Sequence, residues 1–336
     1  MLGIGSGPPP SAVLVAQSLM TSHSIAVVVP VYNRATSVLP TLESIAAQTL
    51  PPRQLVVVDD GSRDGSAKAV ERWIAARRPR FESCVIRQPN GGVSSARNRA
   101  IRECDDCQWF AFLDSDDCWP ADFLARATAA LAGQPAAVAA TADRLFVEEA
   151  TGQERPFDMS ELATCPAIWM LRLGAAISSC SVVRADLVRE LGGFPEHLAT
   201  GEDASLYLPL SLRGTWLYLP GQPVRFVRRG PQPGGEEASL SRKFRDNHRR
   251  WARVYEAFFT RLSYEELKQF RSRKRIHRLL ADRWAKAGQE LERNGSLLAA
   301  AACYAKAIRW RPGKWDRWKA LIRMPVSAVL PTRRAA

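Results

Sequence analysis

Three carboxylates crowd into four residues at Asp114-Ser115-Asp116-Asp117, directly after the apolar run Trp109-Phe110-Ala111-Phe112-Leu113. Like charges that close raise one another's pKa unless a cation sits among them. A divalent ion shared between carboxylate and diphosphate oxygens resolves the conflict, and Mg2+ or Mn2+ is the hard, oxygen-seeking choice. A solvent-facing acidic turn would use the same residue types. A second acidic step, Asp59-Asp60-Gly61-Ser62, follows Leu55-Val56-Val57-Val58. A carboxylate there can accept from a base that carries a ring N–H, as uracil, thymine and guanine do, or it can simply cap a helix or turn. Asn90-Gly91-Gly92-Val93-Ser94-Ser95-Ala96-Arg97-Asn98 couples a glycine turn to a helix start. Backbone N–H groups at Gly91 and Gly92, with Arg97 nearby, suit a diphosphate, while Ser94 suits an ordinary helix cap. Gly201-Glu202-Asp203, taken alone, reads as a solvated acidic pair.

These clusters need a frame, and hydrophobic periodicity supplies one. Ile25 to Val29, Leu55 to Val58, Cys84 to Ile86 and Trp109 to Leu113 are short continuous apolar runs of the kind that buried parallel strands show. Between them, residues 36–47, 66–76 and 94–104 carry helical spacing. This alternation predicts an α/β fold, a doubly wound, mostly parallel sheet flanked by helices. In such sheets ligands bind beyond the carboxyl ends of the strands. The polar clusters fall there: Asn33 after the first strand, Asp59-Asp60 after the second, Asn90 to Gly92 after the third, Asp114 to Asp117 after the fourth. Residues 1–23, with Pro8-Pro9-Pro10, read as a loose leader, and Pro231 to Gly235 as a linker. Residues 24–230 form the sheet domain, and 231–336 a helical extension. Within that extension Trp284 to Trp310 pairs two helices around Asn294-Gly295, one hairpin resembling a tetratricopeptide repeat, with Leu291, Ala300, Tyr304 and Ile308 packing it.

The charge is uneven. Residues 228–336 hold 27 Lys and Arg against 10 Asp and Glu, whereas the rest of the chain holds 20 against 24. The basic third implies an anionic partner such as a membrane surface, or else a solvated Arg-rich helical face. No recognisable reader motif accompanies it, so nucleic acid is not expected. Seven cysteines at irregular spacings suit a reducing compartment, and the lone Cys104-Cys107 pair lacks the partners of a tetrahedral zinc site. No run approaches the ~20 apolar residues of a membrane span. With no Lys or Arg before Arg34, the start lacks the positive charge of a secretory signal. A cytoplasmic protein is expected, with peripheral contact to an anionic membrane as a further expectation.

The order of the motifs decides the class. Pro30-Val31-Tyr32-Asn33-Arg34, Val57 to Ser62, Asn90-Gly91-Gly92, Ala96-Arg97-Asn98, Phe112 to Asp117, Gly192-Gly193-Phe194 and Gly201-Glu202-Asp203 together resemble the motif series of glycosyltransferase family 2, across residues 24–227. Several short motifs in one order are far more specific than any one. The resemblance implies the GT-A fold and an inverting transfer of a sugar from a UDP-, dTDP- or GDP-sugar to a glycan, polysaccharide or lipid-linked acceptor. It implies that Asp60 binds the base with Asp59 beside it, and that Pro30 and Asn33 lie at the lip of the nucleotide pocket. Asp116 and Asp117 would face the ribose and a Mn2+ or Mg2+ ion, with Asp114 in support, and Asp203 would be the catalytic base. Where the family often has an aromatic residue and a Trp after that base, this chain has Leu206, Tyr207 and Leu208, which puts acceptor contacts there in question. Two rival readings are a sugar nucleotidyltransferase and a catalytically silent scaffold working through the C-terminal helices. The first would place a Gly-rich loop with Arg and Lys after the first strand, where Pro30 to Arg34 stands. The intact Asp60, Asp116, Asp117 and Asp203 argue against the second.

Overall fold

Strand β1 (Ile25–Val31) is buried along its whole length, as its continuous apolar run requires. The computed structural model describes residues 24–104, 106–228, 246–270 and 272–323, so the leader 1–23 and the linker Pro231 to Gly235 lie outside the described residues. β1 pairs in parallel with β2 (Gln54–Asp59), β2 with β3 (Glu82–Arg87), and β1 with β4 (Trp109–Phe112) on its other side. Helices α1 (Val38–Ala46), α2 (Ser66–Arg77) and α3 (Val93–Glu103) connect these strands. The four parallel strands and their helices are as the sequence predicts.

The other half of the sheet is mixed. β5 (Asp117–Cys118), β6 (Ala137–Glu148), β7 (Glu154–Phe157), β8 (Ser181–Arg184) and β9 (Thr215–Arg228) extend the order to β3-β2-β1-β4-β8-β6-β9-β5, with β7 on β6. β8 runs antiparallel to β4 and β6, whereas β6 and β9 are parallel across a long ladder. Most of these strands escaped the periodicity reading. β6 begins with the alanine-rich Ala137-Val138-Ala139-Ala140, which carries little β-branched signal, and β5 has only two residues. Helices α4 (Phe123–Leu131), α5 (Pro166–Leu173), α6 (Ala185–Glu190) and α7 (Glu202–Leu210) complete this domain.

The β1–β4 ladder ends at Val28 opposite Phe112, two residues before Pro30. Proline has no N–H to give a ladder, and the strands part there, leaving Asp114 to Asp117 to form the mouth of the crevice. On the other side Asp60 N–H still donates to Val31 O at 2.8 Å, which keeps the ends of β1 and β2 in register.

The C-terminal third is helical, as its composition predicts: α8 (Asn247–Arg261), α9 (Tyr264–Lys268), α10 (Arg273–Arg293), α11 (Leu297–Trp310) and α12 (Trp315–Ile322). It is continuous with the sheet's core, because Tyr255, Phe259, Phe270, Ile276 and Leu280 pack into the same buried cluster. Arg283 of α10 donates from Nε to Leu171 O at 2.6 Å and from Nη2 to Met170 O at 3.2 Å. Those carbonyls lie in the last turn of α5, where Met170 O also accepts from the capping Gly174 N–H at 2.7 Å. The hairpin packs on Trp284, Leu291, Ala300 and Tyr304. A Cβ on Gly288 would lie 2.9 Å from the Tyr304 ring, so only glycine permits that approach. Among the described residues, no helix is long and apolar enough to cross a membrane.

Candidate active site

The crevice beyond β1, β2 and β4 collects the polar clusters. Asp60 is buried, and its carboxylate is held by three donors: Gln88 Nε2 and Gly91 N at 2.8 Å on Oδ1, and Gly92 N at 2.8 Å on Oδ2. Asn90 Nδ2 adds a bond to Asp60 O at 2.9 Å. The amides of Gly91 and Gly92, read from sequence as diphosphate donors, are thus turned onto Asp60 and fix its rotamer. Gly61, at φ 78°, lets the chain turn under this loop, where a Cβ would sit 2.9 Å from Asn90 N. Asp59 is buried beside it, and its Oδ1 has no partner among the described residues. Asn33 adopts the left-handed conformation (φ 51°), accepts from Arg63 N at 2.9 Å and donates its own N–H to Ser62 Oγ at 2.9 Å. Pro30 is buried near the end of β1, opposite Val58.

Arg97 is the hub of the acidic residues. It is buried, and it donates to Asp114 at 2.8 Å, Asp203 at 3.0 Å and Glu202 at 3.5 Å, with its guanidinium 4.9 Å from the Phe194 ring. Burial alone would lower its pKa, but the carboxylates of Asp114, Asp203 and Glu202 outweigh that and raise it. The sequence reading set Arg97 toward a diphosphate. The structure instead turns it onto three carboxylates, which ties the loop after β4 to the start of α7. One cation cannot offset three anions, and the surplus shows on the partners. Burial, then the charges of Glu202 and Asp114, push Asp203 up to about 7 against the pull of Arg97 and Ser178. Burial likewise raises Glu202.

Asp203 Oδ1 takes both its bonds, from Arg97 and from Ser178 Oγ at 2.8 Å, and among the described residues Oδ2 has none. Ser178 in turn shares a bond of 3.0 Å with the buried Tyr207 hydroxyl. Ser178 and Tyr207 were missed as site residues from sequence. A serine in an unremarkable loop carries no signal until folding brings it, 25 residues back along the chain, onto Asp203. Leu206 and Leu208 are also buried, so these positions of the helix pack into the core. The α7 N-terminus is braced from the extension, since a Cβ on Gly201 would stand 3.3 Å from Trp251 and from Val254 of α8.

Within the acidic cluster, Asp116 is part-exposed and lies 3.7 Å from Arg34, while Asp117 is buried. Burial, then the neighbouring charges of Asp116 and Asp114, raise Asp117 well above the ordinary carboxylate range. This all-oxygen set, with a buried carboxylate among like charges, fits a Mg2+ or Mn2+ ion completed by ligand oxygens. Among the described residues, no group of three or more His, Cys, Asp or Glu is gathered closely enough to hold a metal alone.

Carboxylates at successive strand ends of a parallel half-sheet, with the part-buried Asp203 opposite, stand on a GT-A-like fold. Residues 26–192 match the model for Glycosyl transferase family 2, and this domain belongs to that family. Glycosyltransferase AglE of Haloferax volcanii is 28% identical over 182 residues, 53% of this chain and 58% of AglE. The chain therefore spans little more than half the length of that curated relative. Two solved structures share the fold: S. aureus TarS 1–349 in complex with UDP-GlcNAc (TM-score 0.62, 21% identity, 89% of this chain and 83% of that one), and the mannosyltransferase PcManGT from Pyrobaculum calidifontis in complex with GDP-Man and Mn2+ (TM-score 0.53, 22% identity, 89% and 83%). At such identities the likeness is one of fold.

Proposed function

We propose that the protein is an inverting glycosyltransferase that moves a sugar from a nucleoside-diphosphate sugar to an acceptor hydroxyl, with Asp203 as general base. The observation that carries this reading is the Asp203 carboxylate itself. It is held on one oxygen by Arg97 and Ser178, its other oxygen is uncommitted, and its pKa sits near neutrality. Such a group can take a proton at working pH. As Asp203 removes the acceptor proton, the acceptor oxygen bonds to the anomeric carbon and the bond to the diphosphate oxygen breaks, inverting the centre in one displacement.

Donor binding falls to the other side of the crevice. Asp60, prealigned by its three donors, would accept from the ring N–H of the base, with Asp59 and Asn33 beside it. Asp116 and Asp117 would hold a Mn2+ or Mg2+ ion, with Asp114 in support. That ion would neutralise charge gathering on the departing diphosphate. The ligands of the TarS and PcManGT complexes, UDP-GlcNAc and GDP-Man, support a UDP- or GDP-sugar, and the Mn2+ of the latter supports the metal.

A donor screen tests this reading. Nucleoside diphosphate release is followed with UDP-, dTDP- and GDP-sugars in Mn2+. At least one donor should give release that EDTA abolishes and Mn2+ restores. No release from any donor would overturn the transferase reading. Full activity in chelator, with metal-free protein confirmed by elemental analysis, would remove the ion.

We also infer that the end of the extension makes peripheral contact with an anionic membrane. Trp315, Trp318 and Ile322 are exposed at helical spacing on α12, with Lys314 and Lys319 exposed among them, and this supports contact with a lipid surface.

A further inference from the structure

Three arginines surround one phenylalanine in the half of the sheet beyond the acidic cluster. The guanidiniums of Arg144, Arg155 and Arg228 lie 5.3, 5.4 and 4.4 Å from the Phe146 ring centroid. Three β-strands bring them there: Arg144 and Phe146 share a face of β6, Arg155 comes from β7 and Arg228 ends β9. None of the three is paired with a carboxylate among the described residues. By contrast Arg225, on the same strand as Arg228, is paired with Glu154 at 3.1 Å.

Arg144 is the most telling. It is only 7% exposed, and its guanidinium lies 4.5 Å from the Phe157 ring and 5.9 Å from the Trp169 ring. Its one hydrogen bond runs from Nη1 to Ala176 O at 2.8 Å, and its buried Nε has no partner. A buried charge without a counter-ion is costly. Aromatic faces and one carbonyl recover part of that cost, and two further arginines nearby add to it. Burial, then the charge of Arg228, lower the Arg144 pKa, while Asp117 acts on it in the opposite sense, so the cluster lies within electrostatic reach of the acidic loop. A hydrogen bond also links the two, because the N–H of Val227, next to Arg228, donates to the Asp117 carboxylate.

We infer that Arg144, Arg155 and Arg228 form a subsite for an anionic oxygen group, a phosphate or carboxylate, borne by the acceptor. The inference rests on the transferase reading for the word acceptor. The nucleotide is assigned to Asp60 and its neighbours on the parallel half of the sheet, whereas these arginines come from strands on the other side of the acidic loop. The ligand's anion supplies the counter-charge that the described residues do not. Arginine suits the task because its planar fork binds such groups in a bidentate manner.

The test uses the full chain without donor, so it stands apart from the donor screen. Binding of a short oligogalacturonate, an oligo(glycerol phosphate) and a neutral maltooligosaccharide is measured by calorimetry at low and raised salt. At least one anionic oligomer should bind well above the neutral one, and which of them does so identifies carboxylate or phosphate as the group. Arg155→Gln with Arg228→Gln should weaken that binding at least about tenfold, since charged hydrogen bonds to the anion are lost. Both residues are exposed, so the fold should tolerate the change. Lys314→Gln with Lys319→Gln, which removes equal charge elsewhere, should leave it unchanged. Equal binding of the neutral oligomer, indifference to the arginine changes, or an equal loss in the lysine variant would each overturn the subsite. Loss of UDP–Mn2+ binding in the arginine variant would assign the cluster to the donor's diphosphate and overturn its placement on the acceptor.

Discussion

The two halves of the sheet, meeting at β4, hold their charges by different means. On the parallel side backbone amides and short local loops set the geometry. Asp60 is fixed by the N–H groups of Gly91 and Gly92, and Asn33 by the loop that Ser62 and Arg63 belong to. On the mixed side, long-range side-chain contacts do the work. Asp203 is held by Ser178 and by Arg97, which reaches across from α3 of the parallel half, and Arg144 by aromatic rings. A backbone-built site changes little when side chains change, which suits a fixed ligand such as a nucleotide. A side-chain-built site can be altered one residue at a time, which suits an acceptor that differs from one enzyme to the next. On the mixed side, burial with too few cations leaves Asp203 near neutrality.

The sharpest way to break this contrast is to neutralise a group on the side-chain-built half and read binding and turnover separately. Asp203→Asn should lower kcat by roughly 10²–10⁴, the usual reach of general-base catalysis. The donor KM should barely move if Asp60 and its neighbours hold the nucleotide as proposed, because Asp203 stands apart from them on α7. Near-normal turnover would remove Asp203 from the chemistry, and a large rise in donor KM would dissolve the division of labour. A smaller effect sharpens the same point. A general base must be deprotonated, so the acidic limb of kcat/KM should fall below a midpoint near 7 and level off above it. Ser178→Ala removes a bond that favours the charged carboxylate, so the midpoint should move upward by about one unit. A limb that stays in place would mean that the Ser178–Asp203 contact has no effect on the base.

The same contrast governs what could be read from sequence. The parallel half was legible nearly residue by residue, because each site group stands within a few positions of a strand end and the strands announce themselves as apolar runs. Asn33, Asp60 and Asp114 to Asp117 all fall where the runs stop. What a local reading could not supply was direction. Gly91, Gly92 and Arg97 looked outward to a diphosphate, whereas folding turns the first two onto Asp60 and the third onto Asp203. The mixed half was far less legible. β6 and β8 pair with partners distant in sequence, and the alanine-rich start of β6 hides its strand character. Arg144, Ser178 and Tyr207 acquire meaning only from contacts that span dozens of residues. Asp203 itself was found by the motif order and not by any property of Gly201-Glu202-Asp203 alone.

The basic extension offers the mildest test, and the structure narrows it. Five tryptophans interleave with Arg and Lys in the sequence, but they do not share one environment. Trp284 is buried in the hairpin, Trp251 braces Gly201, and Trp310 packs on the core and donates to Glu256 at 2.7 Å. Only Trp315, 61% exposed, and Trp318, 36% exposed, present a face outward, together with Ile322. These lie at i, i+3 and i+7 of α12 with Lys314 and Lys319 beside them, the pattern of a helix resting in a lipid interface. Arg317, between them, points the other way, buried against Asp282 and Ala307 O, so the exposed stripe is anchored from behind. In liposome flotation the full chain should rise with anionic vesicles at low salt and less as salt increases, because exposed charges are screened beyond about a Debye length. Trp315→Ala with Trp318→Ala should reduce flotation several-fold, because tryptophan favours the boundary between water and lipid, and should leave nucleoside diphosphate release unaltered. If the wild-type chain stays in the soluble fraction with anionic vesicles at low salt, the membrane contact is wrong. If it floats but the tryptophan variant floats equally well, charge spread over the extension carries the contact, and α12 has no special part in it.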